Sequence, residues 1–519
     1  MTHLSEIARR TPNKPAIIMA ETGAAVNFEQ FEAQCNQTAH LLRSLGLKRG
    51  DCVAALFDNG PEILELTAVA ERAGLYIVAV SNRLTAAEVQ YLVEDSGSRY
   101  LFTTGRLGTI VHALPDMLGS VGLFASEGGV AAYRDWKAEA AAFPTTPISD
   151  QSMGGLMLYS SGTTGRPKGI RRPLPDGPLT NPTALTPVFT RMFGANAAWT
   201  YLSPAPLYHA APLGWAMEAL RTGCTVVVME KFDARGVLDA IARYSVNIAQ
   251  FVPTHFVRLL KLTQEERAPY DLSSLRTVFH AAAPCPIPIK EAMLDWWGPI
   301  IHEYYSGTEG CGFTLIGPAE WRERQGSVGR ALGCVIHICD EIGSPVPVGQ
   351  DGQVFFSGGP VFEYHNDPEK TAESRHALGW ATLGDIGHID EDGYLYLTDR
   401  KSFTIITGGV NVYPQEIENI LATHPLVEDV AVIGAPDEEM GERVVAVIQR
   451  ASSSVSDDDA REALRAFCRS QLSGVKTPRQ IDFVDELPRH PTGKLYKRLV
   501  RDRYWAKAEP AVDRPLSGP

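Results

Sequence analysis

The 519 residues carry a formal charge of −13, with 44% apolar and 21% charged side chains. That balance fits a folded chain of more than one domain and argues against a surface that wraps nucleic acid or an anionic membrane face. Residues 1–10 lack the apolar stretch of a signal peptide, and no window is apolar enough for a membrane span. The eight cysteines form no Cys-x-x-Cys pair, so a reducing, cytoplasmic setting without a zinc site or stable membrane insertion is expected.

In chain order, Asn27 and Gln30 read as a capping box opening a helix that Gly46 ends, with Phe31, Cys35, Ala39 and Leu42 on one face. Thr85 and Glu88 repeat the pattern, and Gly97 stops that helix. Short apolar runs at 75–80 and 100–103 read as strands, so this region is an α/β layered scaffold. After the apolar strand end Leu156–Tyr159 comes Tyr-Ser-Ser-Gly-Thr-Thr-Gly-Arg-Pro-Lys-Gly, residues 159–169. Its hydroxyls (Ser160, Ser161, Thr163, Thr164), glycines (Gly162, Gly165, Gly169) and cations (Arg166, Lys168) suit a loop that wraps oxyanions. Glycine lets backbone N–H groups turn inward, hydroxyls donate, and lysine adds a point charge. Polyphosphate is the natural guest, although the spacing is not that of the Walker loop.

Residues 171–195 read as loop with a short helix. Residues 201–215 include Pro206-Leu207-Tyr208-His209 and end on Trp215. A strand over 224–229, a helix over 236–244, a strand over 246–251 and a proline-started helix over 253–262 follow. The strand opening at Thr277 runs into Ala281-Ala282-Ala283-Pro284, small residues that let a flat ring approach the backbone. Residues 304–310 read Tyr-Tyr-Ser-Gly-Thr-Glu-Gly, preceded by Glu303; Leu383-Gly384-Asp385 and Asp399-Arg400-Lys401 come later. Beyond Ser402 the pattern is a small α+β unit: a strand at 403–406, a glycine loop at 407–411 and a helix from Pro414 to Thr423. Glu416 and Glu418 lie near the positive end of that helix; strands at 427–433 and 442–449 and a Ser456-capped helix complete the unit. Leu-Pro-Arg-His-Pro-Thr-Gly-Lys closes at Lys494, and the proline-rich tail is expected to be disordered.

These motifs, in this order, resemble the AMP-forming adenylating superfamily of acyl-CoA synthetases, luciferases and peptide-synthetase adenylation domains, over nearly the whole chain. The resemblance implies an α/β fold: a large multi-layer N-terminal domain (1–401) and a small mobile α+β C-terminal domain (402–519), joined by a hinge at 400–402 with Ser402 as pivot. It implies ATP, Mg²⁺ and coenzyme A as cofactors and a small carboxylic acid as partner, with the homodimer question left open. The loop with Lys168 would hold phosphate. Ala282, Ala283, Pro284, Glu303, Tyr304, Tyr305 and Ser306 would border the nucleotide, with Tyr305 stacking on adenine. Thr308 would donate to the α-phosphate and Glu309 would bind Mg²⁺; Asp385 would accept the ribose hydroxyls, and Arg400 would contact ribose or phosphate. Lys494 would bridge the acid carboxylate and the α-phosphate. His209, Trp215, Phe251, Thr254, Ala281, Gly307 and Cys311 would line the acyl pocket, joined by Phe256, and Gly408, Gly409 and Val410 the pantetheine channel. Two departures stand out: Arg171-Arg172-Pro173 replaces the usual Ser/Thr-His after the loop, and Ser402 replaces Asp or Lys at the hinge. The acid stays open among fatty, aryl-alkanoic and steroid side-chain acids. A carrier protein as acceptor, or a non-catalytic binding protein on this fold, are the alternatives.

Overall fold

The computed structural model describes residues 3–126, 130–159, 167–400, 403–407, 410–437, 440–451, 455–472, 474–489 and 495–505. Both capping boxes form. Gln30 N–H donates to Asn27 Oδ1 at 2.8 Å and Asn27 N–H to the Gln30 side chain at 3.1 Å, starting the helix Phe28–Ser44. Phe31, Cys35, Ala39 and Leu42 on its inner face are all buried. Thr85 and Glu88 cap the helix Ala86–Asp95 in the same reciprocal way.

Six parallel strands form the first sheet among the described residues, in the order Arg134–Asp135, Gly122–Ser126, Tyr100–Thr104, Cys52–Leu56, Tyr76–Val80, Gly155–Leu156. A second, longer sheet has a parallel centre: Pro15–Met19, Thr225–Val228, Thr200–Ser203, Ile248–Phe251, Thr277–His280 and Ile301–Tyr305. Antiparallel strands continue it from Thr314–Ile316 through Ser327–Ala331, Leu395–Arg400, Ala381–Ile389 and Gly352–Ser357 to Val335–Cys339. Parallel strands hold helices on both faces and so read as near-continuous apolar runs, as Thr225–Val228 does. The helices Ala210–Thr222, Ala234–Tyr244 and Pro253–Leu260 supply part of that cover.

Because the central strands are parallel, their carboxyl ends share one edge. Residues 204–209, 252–254, 281–284 and 306–310 therefore leave the sheet side by side, at the place where open α/β sheets take ligands. A small antiparallel sheet, Leu158–Tyr159 with Gly169–Arg171 with Glu363–Tyr364, brings the two ends of the 159–169 stretch together through the pair Tyr159 and Gly169.

The small C-terminal domain is a sheet of Val410–Val412, Ile405–Thr407, Gly441–Arg450 and Val427–Asp437, with Gln480–Val484 parallel to Gly441–Arg450. Its core includes Ile417, Leu421, Val432, Ala446, Leu464 and Cys468. Glu418 does more than favour the start of the helix Pro414–Leu421. It is buried, accepts Val432 N–H at 2.6 Å and pairs with the buried Lys497 at 2.9 Å, so a charged pair ties this helix to Lys497–Trp505. The two domains touch through Gln415 N–H, which donates to Asp399 Oδ2 at 2.9 Å, and through a Lys261–Glu428 ion pair. Among the described residues no helix is long and apolar enough to cross a membrane.

Candidate active site

The edge of the long sheet gathers residues far apart in sequence. Tyr305, the last residue of its strand, donates its O–H to Asp385 Oδ2. Asp385 lies on the strand Ala381–Ile389, paired opposite Arg400, and is buried at 5% exposure. A buried carboxylate that already accepts one hydroxyl is built to accept more. Beyond Tyr305 the chain turns through Ser306, whose hydroxyl donates to the Gly312 carbonyl at 2.7 Å, and Gly310, whose φ is +67°. Within that turn Glu309 Oε1 accepts the Tyr364 O–H at 2.8 Å. Gly307 is closely approached by side-chain ends: a Cβ there would stand 2.6 Å from Leu383 Cδ2 and 2.7 Å from the Glu309 carboxylate, so both would have to shift. Past the end of the neighbouring strand, Ala281 is buried and Ala282 adopts φ +77°, rare for a residue with a Cβ, while Ala282 and Pro284 are exposed and Ala283 half-buried.

The small sheet carries the flanks of the phosphate-loop candidate to this turn. Tyr364, the partner of Glu309, belongs to its strand Glu363–Tyr364. Tyr159 donates its O–H to Asp95 at 2.6 Å, Tyr91 donates to the Pro167 carbonyl at 3.1 Å, and Lys168 forms an ion pair with Asp367. Asp367 also caps the helix Pro368–Glu373, accepting Lys370 N–H at 2.8 Å. Tyr364 and Asp367 are site-edge residues that the sequence did not single out; Arg172, part of the Arg171-Arg172-Pro173 departure, joins them by donating its Nη2 to the Thr308 carbonyl at 2.7 Å. Only the Asp-Pro of a helix start could have flagged Asp367, and nothing in periodicity flags Tyr364.

Several expectations are corrected. Trp215 and Phe251 do not face the cleft. Trp215 is closed in among Phe189, Phe193, Phe279 and Tyr304, with its Nε1–H on Tyr304 Oη at 2.9 Å; Phe251 packs with Phe256 and Trp297, and Phe256 is equally buried. Glu303 is buried too, paired with Lys290 Nζ at 2.5 Å, and burial pushes its pKa up while Lys290 opposes the shift. Tyr304 backs the wall, stacked on Phe313 at 5.2 Å. For Glu303 and Tyr304 the reason is strand geometry: in a strand covered on both faces, side chains before its last residue enter the packed layers, and those at or past the carboxyl end reach the cleft; Trp215 and Phe256 are instead buried on the helices Ala210–Thr222 and Pro253–Leu260. Cys311 is also buried, with burial raising its thiol pKa to about 12. His209 is half-buried at the start of the helix Ala210–Thr222, its ring against Tyr208 at 4.5 Å, and Thr254 and Gly307 are half-buried.

The expected residues Ser160, Ser161, Gly162, Thr163, Thr164 and Gly165, with Arg166, lie outside the described residues, as do Ser402, Gly408, Gly409, Lys494, the proline-rich tail and the side chain of Arg400. Val410 is described and exposed. The flanks of the lysine segment are close together: Arg489 and Leu495 form a bridge, and Tyr496 N–H donates to the Pro488 carbonyl at 2.8 Å. Tyr496 is near enough to Tyr208 to raise its pKa, though burial is the larger cause. Among the described residues no group of three His, Cys, Asp or Glu could hold a metal by itself. Glu309 alone suits a hard cation whose remaining ligands are phosphate and water oxygens.

A family model described as AMP-binding enzyme matches residues 4–364, and one described as AMP-binding enzyme C-terminal domain matches 416–494. The chain belongs to the AMP-binding enzyme family. Its relatives include a feruloyl-CoA synthase of Amycolatopsis sp, 34% identical over 96% of this chain and 97% of that one. A fatty acid–[acyl-carrier-protein] ligase, ScoC, of Streptomyces coeruleorubidus is 31% identical over 98% and 96%. Among solved structures, the amide bond synthetase McbA from Marinactinospora thermotolerans superposes with a TM-score of 0.82 at 28% identity, covering 97% of this chain and all of that one. This AMP-binding enzyme is thus an α/β protein with a large N-terminal and a small C-terminal domain, and an AMP-forming acid–thiol ligase that activates carboxylic acids.

Proposed function

We propose that the enzyme joins an apolar, ring-bearing carboxylic acid to AMP at the expense of ATP and then passes the acyl group to the thiol of coenzyme A. The observation that carries this is the meeting, at one sheet edge, of Tyr305 with Asp385 and of Glu309 with Tyr364. Asp385 holds the ribose hydroxyls and Tyr305 and the Ala281–Pro284 turn border adenine. Thr308 and the 160–168 loop bind phosphate.

Attack of a carboxylate on a phosphate joins two anions, so the site must cancel charge. Lys168 exchanges Asp367 for phosphate, and Lys494 bridges the acid and the α-phosphate. A divalent cation held by Glu309 would neutralise phosphate charge. The carboxylate oxygen bonds to phosphorus as pyrophosphate leaves; the thiolate sulfur then bonds to the acyl carbon and AMP leaves. The domains divide at 401/402, and rotation about Ser402 exchanges Lys494 for the Gly408-Gly409-Val410 loop between the two steps.

His209 and the small residues Ala210, Ala211 and Gly214, all half-buried, form the mouth of the acyl pocket. A mouth of small, uncharged residues favours an apolar acid. Pyrophosphate release from ATP, scanned over aryl, aryl-alkanoic, steroid side-chain and fatty acids with and without coenzyme A, tests the reading. Release that depends on a ring-bearing acid, and a thioester only with coenzyme A, is expected. No release with any acid refutes adenylation, and a thioester only on a carrier protein refutes the acceptor.

A further inference from the structure

Arg172 stands where this chain departs from the family's Ser/Thr-His pair. Its backbone is clamped: Tyr76 O–H donates to the Arg172 carbonyl at 2.6 Å, and Arg171 lies 4.8 Å over the Tyr76 ring. From there the side chain crosses to the turn after Tyr305, where Nη2 donates to the Thr308 carbonyl at 2.7 Å. The guanidinium also lies against Gly310, where a Cβ would come within 2.9 Å of Cζ and Nη2. One planar cation thus contacts both sequence neighbours of Glu309, across a separation of 136 residues at Thr308. The residue as a whole is exposed. It is nevertheless surrounded closely enough that burial lowers its pKa, a shift that the Glu309 carboxylate opposes. An arginine keeps its charge through such a shift.

We propose that Arg172 is a positioning residue for adenylation: it fixes the Thr308–Gly310 turn through the Thr308 carbonyl and adds one positive charge beside Glu309, at the end of the cleft that receives the polyphosphate. This rests on the assignment of Thr308 and Glu309 to phosphate and metal given above. Its consequence has a direction. A fixed cation beside a carboxylate competes with a metal ion for that carboxylate, yet attracts a nucleotide that stays anionic with its metal bound. Losing the cation should therefore weaken nucleotide binding without increasing the demand for free Mg²⁺.

The test compares Arg172→Gln, which loses the charge and ends two bonds short of the Nη2 that reaches the Thr308 carbonyl, with Arg172→Lys, which keeps the charge and loses the fork. Pyrophosphate exchange is followed against MgATP, acid and free Mg²⁺, with melting temperature in parallel. Arg172→Gln is expected to raise the KM for MgATP tenfold or more, with acid KM within about twofold and no greater Mg²⁺ demand. Arg172→Lys is expected to stay within about threefold of wild type. An unchanged KM for MgATP in Arg172→Gln, whatever its melting temperature, overturns the proposal, as does a change confined to the acid KM. Glu309→Gln separates the layers. If it raises the Mg²⁺ requirement while Arg172→Gln changes nothing, only the role of Arg172 fails. If Glu309→Gln leaves the metal titration untouched, the assignment of the turn fails and the proposal with it.

Discussion

Replacing Asp385 by Asn probes the nucleotide end of the cleft with almost no change of shape. Asp385 is buried and already accepts Tyr305 O–H, so its surroundings hold it in one orientation. As a carboxylate it accepts at both oxygens, whereas Asn accepts at one and presents donors at the other. A hydrogen bond to a charged acceptor contributes about 1.5–3 kcal/mol and one to a neutral acceptor about 0.5–1.5. Losing one ribose hydroxyl's acceptor and weakening the other should cost about 2–3 kcal/mol of ATP binding, roughly a 30- to 150-fold rise in Kd. Titration calorimetry with ATP gives that Kd directly, and pyrophosphate exchange gives the KM for ATP beside that for the acid. Tyr305→Phe is the graded companion: it keeps the ring, removes one donor to Asp385, and should weaken ATP by only about three- to tenfold. An Asp385→Asn enzyme that binds ATP within about threefold of wild type, however unstable, would refute the ribose assignment and leave Asp385 a structural partner of Tyr305.

Lys494→Ala should lower acid-dependent pyrophosphate release at least hundredfold, about 3 kcal/mol, while thioester formation from supplied acyl-adenylate persists; near-normal release removes Lys494 from the first step. Ser402→Pro fixes φ near −65° and should trap the adenylating arrangement, giving pyrophosphate release but slow thioester formation even from supplied adenylate; Lys401→Pro is the matched control, and normal rates for both steps in both variants refute a pivot there. His255, stacked 4.0 Å on Phe232, has its pKa pushed by burial from 6.5 down to about 3. The unfolded chain then binds the extra proton first, so this contribution to stability is complete above pH 6.5 and is lost as pH falls toward 3. His255→Phe should flatten the fall in unfolding free energy, read from urea titrations between pH 7.5 and 4.5, by about 2–3 kcal/mol, and an unchanged slope would show that His255 does not drive it.

Local structure was legible wherever the interaction that makes it is local. Both capping boxes involve side chains three residues apart, so Asn27–Gln30 and Thr85–Glu88 could be read directly and form as read. The apolar run 224–229 read as a buried strand and forms one over Thr225–Val228, whose β-branched side chains suit a sheet covered on both faces. The order of the motifs was enough to indicate the family, to which the chain belongs. Adjacency in sequence misled where strand geometry intervenes. Glu303 and Tyr304 stand beside Tyr305, yet the first enters a buried pair with Lys290 and the second an aromatic wall with Trp215.

What the sequence by itself determined is the set of elements, their order and the kind of chemistry the motifs carry, because those depend on contacts within a few residues or on fixed strings. Only the tertiary structure decided which residues meet. Tyr305 reaches Asp385 across 80 residues, Glu309 reaches Tyr364 across 55, and Arg172 reaches Thr308 across 136. Such pairings leave no periodic trace, since they are set by the register of strands at one sheet edge and by the small sheet that brings the 159–169 ends beside them.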